Sequence, residues 1–319
     1  MRSAKHRIVP LAAPLLFASI LSGGCAAGSG STPATTSSAS TSTATSTATP
    51  TAQAQAKAQA AKAFGQLEHQ FGARLGVYVL DTGTGRSVTY RADERFAYAS
   101  TYKALISGVL LRQDSDDQLN HVVTYTAADL QSYAPITSKH VATGMSVRDL
   151  IAAALQYSDN TAANLLLNQL GGPAGVQTAI RALGDVTTHV DRDEPSVNDA
   201  TPGDIRDTST PRALGTDLQH FVLGDLLSTA RRQLLTNWLL GNTTGGSYIR
   251  AGVPSGWKVG DKTGNGGYGT RNDIAIVWPT TGSPSPLVIA IESDRGKAGA
   301  TSADALLADA TKAAVAALR

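Results

Sequence analysis

The sequence predicts a two-lobed domain, α/β plus all-α, in which the two chain ends build one sheet and a helical lobe is inserted between them. Three observations carry that expectation. A hairpin-like pair of strand runs, "LGVYVLDTGTGRSVTYR", opens the folded part around Gly83 and Gly85. Strand runs return at the other end as "GWKVGDKTG", "RNDIAIVW" and "PLVIAIES". Between them, roughly 100–245, apolar residues recur at helical spacing.

Taken in order, residues 1–25 read as a signal peptide. "MRSAKHR" is a basic start, and "IVPLAAPLLFASIL" is an apolar run too short to span a bilayer as an ordinary helix. "LSGGC" then brings small residues up to Cys25, the only cysteine. This resembles a bacterial lipoprotein signal, with Cys25 as the lipidated first residue, although the leucine stands one place further from the cysteine than usual. The alternative is an ordinary cleavage site and free secretion. Either way a lone cysteine makes no intramolecular disulfide. Residues 26–55 are expected to be a disordered linker, since 26–50 hold only Ala, Gly, Ser, Thr and Pro. Such a coil reaches roughly 25–30 Å.

The remainder, 56–319, is expected to be one catalytic domain, with 56–98 and 246–319 forming the α/β lobe and 99–245 the helical lobe. "QAKAQAAKAFGQLEHQF" reads as its first helix and "SADALLADATKAAVAAL" as its last. In "SVRDLIAAALQYSDNTAANLLLNQL", Ser146 and Asp149 form a capping box before an apolar run. The net charge of +2 drops by three, to −1, once Arg2, Lys5 and Arg7 leave with residues 1–25, which hold no acid. A near-neutral protein offers no electrostatic case for nucleic-acid binding. The histidines show no metal-ligand spacing, so neither a metal nor another cofactor is expected.

The chemistry-bearing signals begin at "STYKAL". Ser100 and Lys103 are three apart, a spacing that puts both on one face of a helix, so Lys103 can reach Ser100 Oγ. The same spacing recurs at Ser255 and Lys258, but an extended run sends those side chains to opposite faces. Alone, Ser100 and Lys103 could be an exposed polar pair. Three further stretches follow in order: Ser158-Asp159-Asn160, the polar loop "DRDEPSVNDATPGDIRDTSTP" at 191–211, and Lys262-Thr263-Gly264.

Together these motifs resemble those of the class A serine β-lactamases, within the wider family of penicillin-recognising acyl-transferases. The resemblance covers essentially all of 56–319. It implies a serine β-lactamase/DD-peptidase-like fold: a five-stranded antiparallel sheet flanked by helices, with the active site between the lobes. It implies hydrolysis of a small-molecule β-lactam through an acyl-enzyme. Ser100 is then the nucleophile, Lys103 its partner, and Ser158 the carrier of a proton to the leaving nitrogen. Lys262, Thr263 and Arg271 meet the substrate carboxylate. Gly264 belongs to the same strand motif, and the N–H groups of Ser100 and Asn265 form the oxyanion hole. Asn160 binds the substrate's side-chain amide, and Tyr133 walls the cleft mouth. Glu194 and Asn198, in "EPSVN", hold the deacylating water, while Arg192 and Asp207 pair across the neck of their loop.

Ser196 and Val197 depart from the family's usual Glu-Pro-Glu-Leu-Asn loop while Glu194 and Asn198 are kept, and two further positions depart as well. Asn265 stands where a small residue is commoner, and Asp193 puts a like charge beside Glu194, which could raise its pKa. Two other functions remain in view. A DD-peptidase acting on peptidoglycan stem peptides lacks the Glu194–Asn198 base. A non-catalytic cell-wall binder would have lost at least one of Ser100, Lys103, Ser158 or Glu194. The protein is expected to be exported, to touch a membrane only through Cys25, and to act as a monomer.

Overall fold

The structure is a computed structural model that describes residues 51–282 and 285–318. The signal-peptide and Cys25 expectations, and the linker as far as residue 50, lie outside the described residues. Thr51 opens the described chain by capping helix α1 (Ala52–Phe71), its side chain accepting from the Ala54 N–H at 3.3 Å. Residues 52–55, assigned above to the linker, are therefore helical. Their alanine and glutamine content favours a helix once a cap closes its start.

A sheet follows from both chain ends. Strands β1 (Arg74–Asp81) and β2 (Ser87–Tyr90) make the expected hairpin. Its turn is tied by Asp81 Oδ1, which accepts from Gly83 N at 2.9 Å and Thr84 N at 3.2 Å. The C-terminal part adds β3 (Lys258–Asn265), β4 (Arg271–Trp278) and β5 (Leu287–Asp294). The order across this five-stranded sheet is β2-β1-β5-β4-β3, and every pairing is antiparallel. The chain thus returns to insert β5 beside β1, as the expected topology requires.

Alternation along the strands divides the core in two. Val77, Val79, Ala275, Val277, Ile289 and Ile291 face α1 and the last helix, α8 (Asp304–Leu318). Tyr78, Ile274, Ile276, Val288 and Ala290 face the inserted lobe. That lobe is made of α2 (Tyr102–Gln113), α3 (Val147–Gln156), α4 (Asn160–Gln169), α5 (Gly172–Ala182), α6 (Pro211–Val222) and α7 (Thr229–Leu240). Leu214 and Leu218 of α6 join the core on the sheet's lobe-facing side.

One helical run of the sequence is interrupted. Between α3 and α4 the backbone of Ser158 takes a left-handed φ of +57°, and Asp159 caps α4 by accepting from Ala162 N at 2.9 Å. The break puts Ser158 outside both helices, free to face the sheet.

Candidate active site

Three pieces of chain meet where the lobes join. The nucleophile candidate lies on a 3₁₀ turn, Ala99–Thr101, that leads into α2. Ala99 is held at φ +47°, a left-handed conformation that costs a non-glycine residue roughly 1–3 kcal/mol and persists only where packing enforces it. Strand β3 provides that packing. A Cβ on Gly264 would lie 2.7 Å from Tyr98 O, so only glycine lets the strand approach this turn.

Lys103 is fully buried in the first turn of α2, and its ammonium is saturated with oxygens. Nζ donates to Asn160 Oδ1 at 2.7 Å and to Ser158 O at 2.9 Å, with Ser158 Oγ at 3.4 Å. It pairs with Glu194 Oε1 at 2.9 Å. It makes no hydrogen bond to Ser100. The direct coupling expected from helical spacing is replaced by an indirect one: Ser100 Oγ lies 3.5 Å from the same Glu194 Oε1. A buried ammonium needs several acceptors, and a carboxylate with an amide and a carbonyl outcompetes one hydroxyl. Burial pulls the Lys103 pKa below the ordinary lysine value, and the charge of Glu194 opposes that fall.

Glu194 is only 2% exposed. Its main chain is clamped by Asn164 of α4, which donates Nδ2 to Glu194 O at 2.9 Å and accepts from Glu194 N at 2.8 Å. Asn198 Nδ2 donates to Glu194 Oε2, while Asn198 Oδ1 is buried and accepts no hydrogen bond from the protein. Asp193 is exposed although its neighbour Glu194 is buried, so the two side chains do not share an environment.

The loop's neck is closed by an ion pair. Arg192 Nε donates to Asp207 Oδ2 at 2.5 Å, and Asp207 Oδ1 also accepts from Asp191 N, Arg192 N and Tyr98 OH. A second tie joins the loop to the β3–β4 turn, where Gly267 N donates to Asn198 O at 2.8 Å. A Cβ at Gly267 would lie 2.4 Å from Asp199 O, which accounts for glycine in "NGGYG".

From β3, the fully buried Lys262 donates Nζ to Ser158 Oγ at 3.0 Å and to Thr263 O at 2.8 Å. Ser158 Oγ therefore sits between two ammonium groups. Burial first, then the charge of Lys103, lowers the Lys262 pKa to about 7. Behind it, Arg250 Nε donates to Asp261 Oδ1 at 2.7 Å and Asn242 Nδ2 to Asp261 Oδ2 at 2.6 Å.

Ser100, Tyr133, Ser158, Asn160, Asn198, Thr263, Asn265 and Arg271 line one cleft of about 400 Å³, together with Thr244 and Tyr248. Tyr133 is half exposed at the mouth, and its carbonyl accepts from Asn160 N at 2.9 Å. Asp159, the middle residue of its motif, ties that wall down by accepting from Ile136 N and Thr137 N at 3.0 and 2.9 Å. Arg271 lines the cleft from β4, where it pairs with Asn265, while Thr263 pairs with Asp273. Thr263 Oγ1 shares a 2.6 Å hydrogen bond with Thr244 Oγ1. Ser255 and Lys258, the second copy of the serine–lysine spacing, are exposed and line no part of the cleft.

Asn164, Thr244, Tyr248 and the Asp261 network were not legible in advance. Each acts across the fold, and in the sequence an asparagine on an amphipathic helix or a threonine in a loop reads as a side chain that hydrogen-bonds water. Among the described residues no cluster of His, Cys, Asp or Glu could hold a metal.

The family model described as the beta-lactamase enzyme family matches residues 58–318. A beta-lactamase of Amycolatopsis lactamdurans is 56% identical over 255 residues, covering 80% of this chain and 84% of that protein. One from Nocardia farcinica is 50% identical over 301 residues, covering 94% and 92%. The crystal structure of the class A beta-lactamase from Clostridium kluyveri superposes with a TM-score of 0.79 at 50% identity, covering 81% of this chain and 98% of that one. A buried serine, lysine and glutamate converging beneath a cleft, in a chain with these relatives, lead to one conclusion: the protein belongs to the beta-lactamase family, as a class A serine hydrolase of β-lactams.

Proposed function

We propose that hydrolysis, and the antibiotic resistance it confers, runs through an ester on Ser100 that Glu194 clears. The observation carrying this reading is Glu194 Oε1, which lies within hydrogen-bond distance of both Ser100 Oγ and Lys103 Nζ. In acylation, Ser100 Oγ bonds to the lactam carbonyl carbon and gives its proton to Glu194. The carbonyl oxygen takes up negative charge, facing the N–H groups of Ser100 and Asn265. When the C–N bond breaks, the nitrogen takes a proton from Ser158 Oγ. Ser158 is replenished from the ammonium groups on either side of it, at 3.0 Å and 3.4 Å, and the proton on Glu194 passes through Lys103, 2.9 Å away, to restore them and leave the carboxylate ionised again.

In deacylation, water gives its proton to Glu194 and its oxygen attacks the ester carbonyl; as the ester C–O bond breaks, Glu194 returns that proton to Ser100 Oγ, 3.5 Å away. Asn198 suits the holding of that water, since its amide nitrogen anchors the carboxylate and its Oδ1 is left to accept. Arg271, Thr263 and Lys262 receive the substrate carboxylate, Asn160 its side-chain amide, and Tyr133 packs against it at the mouth. Gly264 gives β3 its close approach to the nucleophile's turn. Arg192 and Asp207 hold the loop that carries the base.

The 99–245 segment is the helical lobe and 56–98 with 246–319 the α/β lobe of this catalytic unit. For localisation we read residues 1–25 as an export signal, 26–50 as a tether, and Cys25 as a lipid attachment point. No described helix is long and apolar enough to cross a membrane. Cys25→Ala should then release active protein from the membrane fraction. A wild-type protein already wholly in the soluble fraction, with another first residue, contradicts the anchor.

The nucleophile is tested by trapping. A slowly released β-lactam should add its mass to Ser100, and Ser100→Ala should abolish both label and turnover while keeping the fold. A label on Ser158 or Ser255 would overturn the assignment.

A further inference from the structure

Arg271 stands at the first position of β4 and lines the cleft. Two groups hold its guanidinium. Asp304 Oδ1, on the first residue of α8, lies 3.0 Å from Nε. That contact is an ion pair without hydrogen-bond alignment, so it fixes the charge more than the orientation. The second group is Tyr248, whose ring centre lies 5.3 Å below Arg271 Cζ.

Tyr248 is itself fixed. It is buried to 7% exposure, its N–H donates to Gly245 O at 3.1 Å, and the next N–H, of Ile249, donates to Asp273 Oδ2 at 3.2 Å. Its hydroxyl makes no hydrogen bond to the described residues. Neither do Nη1 and Nη2 of Arg271, which leaves that edge of the guanidinium available to a ligand. An aromatic face attracts a guanidinium without using any of its N–H donors. It also restricts a flexible side chain before binding, which lowers the entropy lost when a carboxylate is taken up.

We propose that Tyr248 is a positioning residue for the substrate carboxylate: its ring, with Asp304, presents the free edge of Arg271 to the cleft. This rests on the reading of Arg271 as a carboxylate-binding residue. Tyr248 does not touch the reacting atoms, so its removal should appear in KM and leave kcat alone. The hydroxyl plays no part, which separates this role from direct substrate contact.

The test is a double-mutant cycle on benzylpenicillin hydrolysis. Tyr248→Met keeps bulk without a ring and should raise KM about 3–10-fold with kcat within about two-fold. Tyr248→Phe should retain the wild-type KM. In an Arg271→Ser background, Tyr248→Met should change KM by less than about two-fold, because the group it orients is gone. Tyr248→Leu repeats the measurement if the methionine variant does not fold. The proposal is overturned if Phe raises KM as much as Met, if the Met effect persists in the Arg271→Ser background, or if KM does not move. Should Arg271→Ser itself leave KM unchanged, the carboxylate reading fails and this inference fails with it.

Discussion

Lys262 illustrates how burial gives a side chain its function. In water an ammonium is charged across the whole neutral range. Here burial and the nearby Lys103 bring its pKa to about 7. On the proposed mechanism a protonated Lys262 attracts a carboxylate and feeds Ser158, and a neutral one does neither. The second-order rate constant kcat/KM, which reports the free enzyme, should fall as pH rises through about 7. Bound carboxylate favours the charged form, so the corresponding limb in kcat should lie higher. Lys262→Arg should move the kcat/KM limb upward. A pH–rate profile flat from 6 to 9 would contradict this account of Lys262.

Glu292 is a different case at the same scale. It is fully buried on β5, neither carboxyl oxygen has a hydrogen-bond partner, and burial raises its pKa to about 8. The folded state therefore keeps a proton that the unfolded chain releases near its model value of 4.5. Its contribution to stability is complete below 4.5, declines as pH rises from 4.5 to about 8, and is lost above that. The slope is at most about 1.4 kcal/mol per pH unit. Glu292→Gln should flatten the dependence of Tm on pH across this window. An unchanged slope would mean that the carboxyl is ionised in the fold.

At the scale of elements, the 191–207 loop is held at three places: the neck pair, the Asn164 clamp and the Gly267 tie. All three bear on where Glu194 stands. Asp207 is almost fully buried and accepts from Arg192, two main-chain N–H groups and Tyr98. Removing Asp207 takes the acceptor from two main-chain N–H groups and from buried Tyr98, at about 1–3 kcal/mol for a buried group left unpaired, while Arg192 keeps its second partner, Asp199, at 2.8 Å. Asp207→Ala should lower Tm by several degrees and slow deacylation more than acylation. Stopped-flow separation of the two steps would check it; an equal loss in both would show that the loop does not act through Glu194.

Across the whole molecule, much of the site was legible in the sequence because its motifs are local. Ser100 with Lys103, Ser158 with Asn160, Glu194 with Asn198, and Lys262 with Gly264 each lie within a few residues, and order along the chain did the rest. The two-ended sheet was legible too, from strand runs at both ends of a helical middle. What stayed hidden depends on contacts between distant segments. Asn164 meets Glu194 thirty residues on, and Thr244 meets Thr263 nineteen residues on. Strand register was also hidden: the motifs do not say that Arg271 stands opposite Asn265. The Ser100–Lys103 expectation failed for a reason periodicity cannot supply: it gives the face a side chain leaves from, whereas the acceptors around a buried ammonium decide where it ends.

The central claim is that Glu194 clears the Ser100 ester, and Glu194→Ala tests it most directly. Without the carboxylate, Lys103 loses the charge that opposes its depressed pKa, so the buried amine is neutral more often and can take the Ser100 proton. Acylation should therefore still occur. Deacylation, deprived of its base, should slow by about 10²–10⁴-fold. Stopped-flow hydrolysis of a chromogenic cephalosporin should show a burst of one product per enzyme followed by a near-stall, with the acyl mass on Ser100. Steady turnover at the wild-type rate, with no accumulated ester, would contradict the account.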